Sequence, residues 1–369
     1  LMKYLCPRDF RRGEMEENMR SSFQSSDVIL LLKDITGLVE PLPSEVRERY
    51  IQAGVHYCEM LPLEYQPTIK YMEAYKRALK SYAGTTANAI AVLAEKIYSR
   101  KGNSLVIVSL ARAGTPIGVL IKRYLEKKYN VSLTHYSVSI IRGKGIDKNA
   151  LNYILERHQA SSIQFVDGWI GKGAILTELK KELAEYPQIS SDLAVVSDPA
   201  NLTDLCGTHE DFLVPSSCLN ATVTGLISRT FLRRDIIGDS DFHGAAYLGE
   251  LADNDLTAEY LASIEREFNY KTSDIIRSKG ASGVEVVRQV AKVYSVGDIN
   301  FIKPGIGETT RVLLRRVPWK VLINPKYKNA DELKHIIQLA NEKGVPLEVS
   351  LVYLGSYKVC GIIKTLADT

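Results

Sequence analysis

Apolar positions change their period several times along the chain. Residues 1 to 26 are polar and charged, with Ser21, Ser22, Ser25 and Ser26 leading into the first apolar run, so this stretch reads as a tail or arm. Residues 45 to 50 and 68 to 100 carry apolar side chains at helical spacing, broken by the loop between Pro62 and Pro67. From Leu105 the pattern shortens into runs of β-branched and apolar residues at 105–108, 131–141, 163–166 and 193–196, each predicted as a strand. Helical spacing returns between them at 117–127 and 176–185.

Short apolar strands alternating with helices predict an α/β fold with a mainly parallel sheet. Ligands of such sheets sit where the strands end, which gathers the loops after residues 108, 141 and 166 around one crevice. The character changes after Ile275, where Gly280, Gly283 and Gly297 precede KPGIGETTRVLLRRVPWKVLINP. A strand, a helix at 331–343 and a strand at 347–353 predict a second, compact α/β unit. The expected division is therefore an arm at 1–26, a main domain at 27–297 and a small domain at 298–369.

Composition narrows the function classes. The 369 residues are 45% hydrophobic and 24% charged, which excludes disordered and fibrous chains. No stretch approaches the roughly 20 apolar residues of a membrane span. The formal charge of +4 is too small to mark a nucleic-acid binder as a whole. Residues 300 to 369, however, hold eleven Lys/Arg against six Asp/Glu, so any surface for a polyanion is expected there. Cys6, Cys58, Cys206, Cys218 and Cys360 are scattered, without a CxxC pair, which argues against a disulfide framework or structural zinc and fits a reducing cytoplasm.

Candidate chemistry concentrates in three loops. In IQFVDGWIGKGAILTEL, residues 163 to 179, a carboxylate at a strand end is followed by glycines and a helix start, a geometry that surrounds a phosphate with backbone N–H groups. Asp167 would face ribose hydroxyls or Mg²⁺. The segment is neither a Walker A motif nor GxGxxG. The plainer alternative is a turn whose glycines only permit tight strand-to-helix packing. SLARAGTPIG, residues 109 to 118, repeats the strand–turn–helix pattern with Arg112 beside Gly114, and RGKG supplies Arg142 and Lys144 on a glycine-flanked loop. Together the loops match the needs of a ligand such as phosphoribosyl pyrophosphate, whose reaction profits from cations on the leaving diphosphate and a lid against water. A solvated basic turn is the alternative for Arg142 and Lys144.

A nucleophilic reading competes with it. Cys218 lies in VPSSCLN and Cys206 in LCGTHE, with His209, His243 and Asn220 as conceivable partners, although a lone cysteine is more often a small buried hydrophobe. His56, beside Tyr57 and Glu59, is read first as a packing residue.

DGWIGKGAI resembles the phosphoribosyl-pyrophosphate loop of type I phosphoribosyltransferases, and SLARAGTP resembles their pyrophosphate loop. HYCEMLP, SLARAGTP, HYSVSIIRGKGID, FVDGWIGKGAI and SSCLNATVTGLISRT together resemble a bacterial family of tellurium-resistance and stress-response operons. Its members carry two labels, orotate-type phosphoribosyltransferase domain and cysteine protease StiP. The tail from Lys303 is similar to the Pelota-type RNA-binding domain.

The resemblance implies a type I phosphoribosyltransferase-like sheet with flanking helices, followed by a Pelota-like domain. It implies transfer of ribose 5-phosphate from phosphoribosyl pyrophosphate to a base-like acceptor of unknown identity, with Asp167 binding Mg²⁺. Catalytic roles would fall to Asp167, Arg142, Lys144 and Arg112. Gly168, Gly171, Lys172, Gly173, Ala174 and Ile175 would hold the 5′-phosphate, and Ser109, Ala111 and Gly114 the pyrophosphate. Ser217, Asn220, Thr222 and Arg229 would face the acceptor. Lys303, Arg311, Arg315 and Arg316 would meet RNA, and a homodimer would be in keeping with related transferases. The usual motif has two adjacent acids where this chain has Asp167 and Gly168. The alternatives are a StiP-type cysteine hydrolase using Cys218 with His209 or His243, and a non-catalytic nucleotide- or RNA-binding protein.

Overall fold

The computed structural model describes residues 19–64, 66–271, 280 and 282–364. Most of the expected arm, including Cys6, lies outside the described residues, and the part from Met19 to Ser26 places Met19 and Phe23 in the core.

The first strands are β1 (Ile29–Leu31) and β2 (Lys33–Asp34), followed by helices α1 (Ser44–Gln52) and α2 (Ile69–Lys101). Then come β3 (Val106–Ala111), α3 (Gly114–Tyr129), β4 (Thr134–Ile141), β5 (Gly145–Ile146) and α4 (Lys148–Leu155). The main unit continues with β6 (Ile163–Trp169), α5 (Ala174–Leu183), β7 (Leu193–Ser197), β8 (Cys206–Thr208), β9 (Gly244–Ala245) and α6 (Thr257–Glu265). Its sheet runs β1-β4-β3-β6-β7-β8, with every pair on that path parallel and β5 antiparallel on β4. Mixed α/β architecture with a mainly parallel central sheet is thus as the strand–helix alternation predicts.

Both faces of this sheet are covered, so its central strands are continuous apolar runs. Ile107 points into the cluster with Ile90, Leu93 and Ile97 of α2 and Leu120 of α3, whereas Val106 and Val108 join Phe165, Leu151 and Leu179 on the other face. α3 lies unusually close to the sheet. A Cβ at Gly118 would stand 2.1 Å from Ser109 Oγ and 2.3 Å from His135 Nε2, and one at Gly114 would stand 2.5 Å from the Val166 carbonyl oxygen. Those two glycines are therefore demanded by packing.

The C-terminal unit contains α7 (Gly283–Val293), β10 (Ile302–Pro304), α8 (Ile306–Arg315), β11 (Pro318–Ile323), α9 (Lys334–Glu342), β12 (Leu347–Val349) and β13 (Val359–Ile363). Its sheet order is β10-β13-β11-β12. The strand predicted through residue 353 stops at Val349, because Ser350 turns the chain by bonding the Val352 carbonyl through its hydroxyl.

One buried carboxylate joins the two units. Asp211 accepts from the Ile306 amide through Oδ1 and from the Lys358 amide through Oδ2, both at 2.8 Å. Tyr357 adds a bond from its hydroxyl to the Gly171 carbonyl at 2.6 Å.

His135 is enclosed between β3 and the segment before β1. Its Nε2 accepts from the Ser109 hydroxyl and its Nδ1 donates to the Asp27 carbonyl, both at 2.8 Å, and burial pushes its pKa down to about 4. The unfolded chain takes up this proton near pH 6.5 and the folded chain only near 4, so stability should fall as pH drops through that window. Urea denaturation at pH 7 and pH 4.5 should show a loss on the order of 2 kcal/mol from this residue, and His135→Gln should flatten the pH slope. An unchanged slope in the variant would contradict it.

Candidate active site

The carboxyl ends of β3, β4 and β6 form one crevice, as the loop positions predict, and the C-terminal unit lies across it. A cavity of about 220 Å³ opens there, lined by Arg142, Asp167, Trp169, Gly171 to Leu176, Lys303, Glu308 and Arg311. Glycine is required at 173, where φ is +88° just before α5 begins with Ala174 and Ile175.

The cavity's charges are mutually perturbed. Burial raises the Asp167 carboxyl to about 7 against the Gly168 amide, which donates to Oδ1 at 2.7 Å, and against Arg311. Burial lowers Lys172 to about 8, aided by Lys303 and Arg142. Lys172 is tied to the C-terminal unit through the Ile299 carbonyl at 2.5 Å, and Arg142 bonds Asn300 Oδ1 at 3.0 Å. Mg²⁺ was expected on Asp167. Its donor set does not suit that ion: beside Asp167 stands the Arg311 cation, and Glu308, the other carboxylate there, is paired with Arg311 at 3.6 Å.

Several sequence-expected ligand residues are engaged by the fold itself. Ser109 is fully buried and its hydroxyl is bonded to His135. Ala111 ends β3, and Gly114 is a packing glycine. Arg112 pairs with Glu64 Oε1 at 2.6 Å and also donates to the Ile227 carbonyl at 3.0 Å. Ser217 and Thr222 are buried, and Asn220 precedes a short 3-10 turn at Ala221–Val223. Arg229 lies with its guanidinium 5.2 Å from the Tyr57 ring centre.

The expected partnership of Cys218 with His209 or His243 is not what the structure builds. Cys218 is fully buried in the core. The His209 ring lies against Cys206 Sγ at 3.5 Å from Nε2 and against the Asp198 carbonyl at 2.8 Å from Nδ1, and His243 Nδ1 bonds Ser139 Oγ at 2.9 Å.

A thiol–imidazole pair that sequence reasoning passed over, its thiol buried, lies behind the Arg142 loop that borders the crevice. His56 precedes the 3-10 turn Tyr57–Glu59, and its Nδ1 lies 2.9 Å from Cys58 Sγ while accepting from the Cys58 amide at 3.4 Å. The ring also hydrogen-bonds the Arg142 backbone, and Nε2 faces Gly143, whose Cβ position would be 3.6 Å away. The turn is tied to the same loop by Tyr57, whose hydroxyl accepts from the Arg142 amide at 3.0 Å. An Nδ1 that accepts and an Nε2–H that donates to a carbonyl is the tautomer that can take a proton from the thiol. Burial raises the Cys58 thiol to about 11, opposed by Lys144, and burial lowers His56, aided by Lys144. The resting pair is neutral. The signal available in sequence was a histidine two residues before a cysteine within HYCEMLP.

Comparison with known proteins decides the class. The family model described as "Tellurite-like stress resistance cysteine protease StiP" matches residues 21–265. The chain belongs to the StiP family. A StiP relative, the cysteine protease StiP of Acinetobacter baylyi, is 31% identical over 377 aligned positions, covering 95% of this chain and 96% of the relative. Residues 281–365 match the model of the PELOTA RNA binding domain. Among solved structures, a hypoxanthine-guanine phosphoribosyltransferase of Bacillus anthracis is 14% identical over 38% of this chain and 74% of that one, with a TM-score of 0.23.

These matches correct the expectation of phosphoribosyl transfer. The family and the relative across nearly the whole chain are cysteine proteases, and the likeness to a transferase is too slight to fix a shared fold. Among the described residues, no helix is long and apolar enough to cross a membrane.

Removing the Asp211 clamp should loosen the C-terminal unit from the crevice. Asp211→Ala leaves two buried amides without their acceptor, costing about 1–3 kcal/mol each. Hydrogen exchange at residues 170–175 and 303–311 should rise by roughly tenfold or more. Unchanged exchange would show that other contacts hold the units together.

Proposed function

We propose that this StiP-family chain is a cysteine protease in which Cys58 is the nucleophile and His56 its base. The observation that supports the assignment is the 2.9 Å contact between Cys58 Sγ and His56 Nδ1. A base needs a third group to orient it, and the Arg142 backbone fills that role.

In the reaction, Cys58 Sγ attacks the scissile carbonyl carbon as its proton passes to His56 Nδ1. The imidazolium then gives that proton to the departing amine, leaving a thioester on Cys58. Water, deprotonated by His56, attacks the thioester carbon; the acid product leaves and the thiol regains its proton. Lys144, whose charge acts on both members of the pair, offsets the negative charge that develops.

Cys58 has no exposed surface, and its Sγ also approaches the Leu232 carbonyl at 3.6 Å. Substrate access therefore requires the covering segment to move.

Cys206 with His209 and Asp198 is the competing constellation, since Asp198 supplies an orienting carbonyl. Cys206 lies within β8, paired with Val195, and its carbonyl accepts from Lys96 at 2.8 Å, which fixes it inside the sheet.

Cys58→Ala and His56→Gln should each lower peptidase kcat/KM by roughly 10³-fold or more, while Cys206→Ala and Cys218→Ala keep it within about threefold. Loss with Cys206→Ala alone would move the nucleophile there. Because His56 must be unprotonated and its pKa lies below 6.5, activity should persist below pH 6.5 before falling in acid.

The C-terminal unit is assigned RNA contact, which rests on its match to an RNA-binding domain. Lys303 and Arg311 line the cavity, Arg316 is exposed, and the Arg315 side chain lies outside the described residues. The exposed side chains of Trp319 (37%), Leu351 (84%) and Tyr353 (70%), with Lys320 against Trp319, offer rings and a cation of the kind that stacked bases use. Trp319→Ala should weaken oligouridylate binding roughly tenfold, and affinity should fall with salt. Salt-insensitive binding unaffected by the variant would remove the claim.

A further inference from the structure

Beside the turn that carries Cys58 lies a guanidinium with no carboxylate partner among the described residues. The chain from Arg229 to Arg233 runs alongside the turn that holds the nucleophile. Leu232 donates its amide to the Cys58 carbonyl at 2.9 Å, and Arg233 Nη1 donates to the Glu59 carbonyl at 3.3 Å. Arg229, three residues before Leu232, spreads its guanidinium over Tyr57, the immediate neighbour of Cys58.

Every other arginine beside it is of the same sign and none relieves it. Arg112, Arg47 and Arg316 act on Arg229 as cations, the last from the C-terminal unit, and the favourable neighbour is the phenol of Tyr57. Arg112 already has its carboxylate, Glu64. Among the described residues, the Arg229 guanidinium has no carboxylate within ion-pair distance. Burial together with those three cations lowers it to about 10, a large displacement for arginine. Its five N–H donors form a planar fork that matches a carboxylate in bidentate fashion. A desolvated cation left unpaired is costly, and an incoming anion relieves both the desolvation and the repulsion from its neighbours.

Resting on the Cys58 reading, we propose that Arg229 forms the subsite for an acidic side chain of the peptide substrate, flanking the scissile bond. A peptide carboxylate is favoured over a nucleic-acid phosphate because the fork lies over the ring of Tyr57, the residue next to the cysteine assigned to attack a peptide carbonyl. The exposed residues assigned to RNA lie instead on β11 and in the segment after β12.

The test uses the full chain carrying Cys58→Ala, which binds without turning over. Its ligands are two fluorescein-labelled pentapeptides, Ala-Ala-Glu-Ala-Ala and its Gln counterpart, followed by fluorescence anisotropy. The Glu peptide should bind roughly tenfold more tightly, and adding Arg229→Gln should reduce the difference to less than about twofold. Arg229→Lys, which keeps the charge without the fork, should retain part of it and controls for folding. Equal affinity for the two peptides, or a preference that survives Arg229→Gln, overturns the proposal. Displacement of the Glu peptide by oligouridylate, lost in Arg229→Gln, would assign the arginine to RNA and overturn it too. With Cys58 intact, cleavage of either peptide without the Glu preference sinks the subsite and leaves the protease reading. The Glu preference without any cleavage sinks the protease reading and leaves the subsite.

Discussion

The orientation of one imidazole governs how the rest of this structure is put to use. His56 Nδ1 faces Cys58 while the other side of the ring bonds the Arg142 backbone, so the tautomer that accepts a proton is set by the loop after β4. That loop owes its position to the central sheet, where β4 lies between β1 and β3. Buried parallel strands thus fix the base from one side, and the turn at residues 56 to 59 brings the thiol to it from the other.

The crevice is closed by a second unit rather than left open to water. Asp211 holds the start of α8 and the start of β13 by two amides, and Lys172, Arg142 and Tyr357 bridge the same boundary. Removing water from this region penalises the charged forms, which is why the Asp167 carboxyl is raised and the Lys172 ammonium lowered from their ordinary pKa values. It also keeps Cys58 as an inert thiol until something moves. On the proposed assignment, substrate binding has to provide the opening.

Much of the architecture was legible in sequence, and the reason is physical. A strand covered on both faces must be apolar throughout, so β3, β6 and β7 announce themselves, and the glycine turns between strand and helix mark the crevice. β10 and β13 were less visible because Lys303, Pro304 and Gly361 interrupt their apolar runs. The chemistry was harder to read. Glycine loops that would cradle an anion also serve close packing, and at Gly114 packing is what the backbone demands. Cys58 sits in a short irregular turn with no periodicity, and its pairing depends on a loop more than eighty residues away. Cys218, by contrast, lies in a conspicuous polar segment, yet the fold places it in the core.

Covalent labelling by a peptide-based electrophile, mapped by mass spectrometry on the full chain, tests the central claim most directly. A substrate-like chloromethyl ketone should modify one cysteine at stoichiometric amounts, in the peptide spanning residues 56 to 64, and the adduct should disappear in His56→Gln. Modification at Cys206 or Cys218, or labelling of Cys58 that does not depend on His56, would contradict the account.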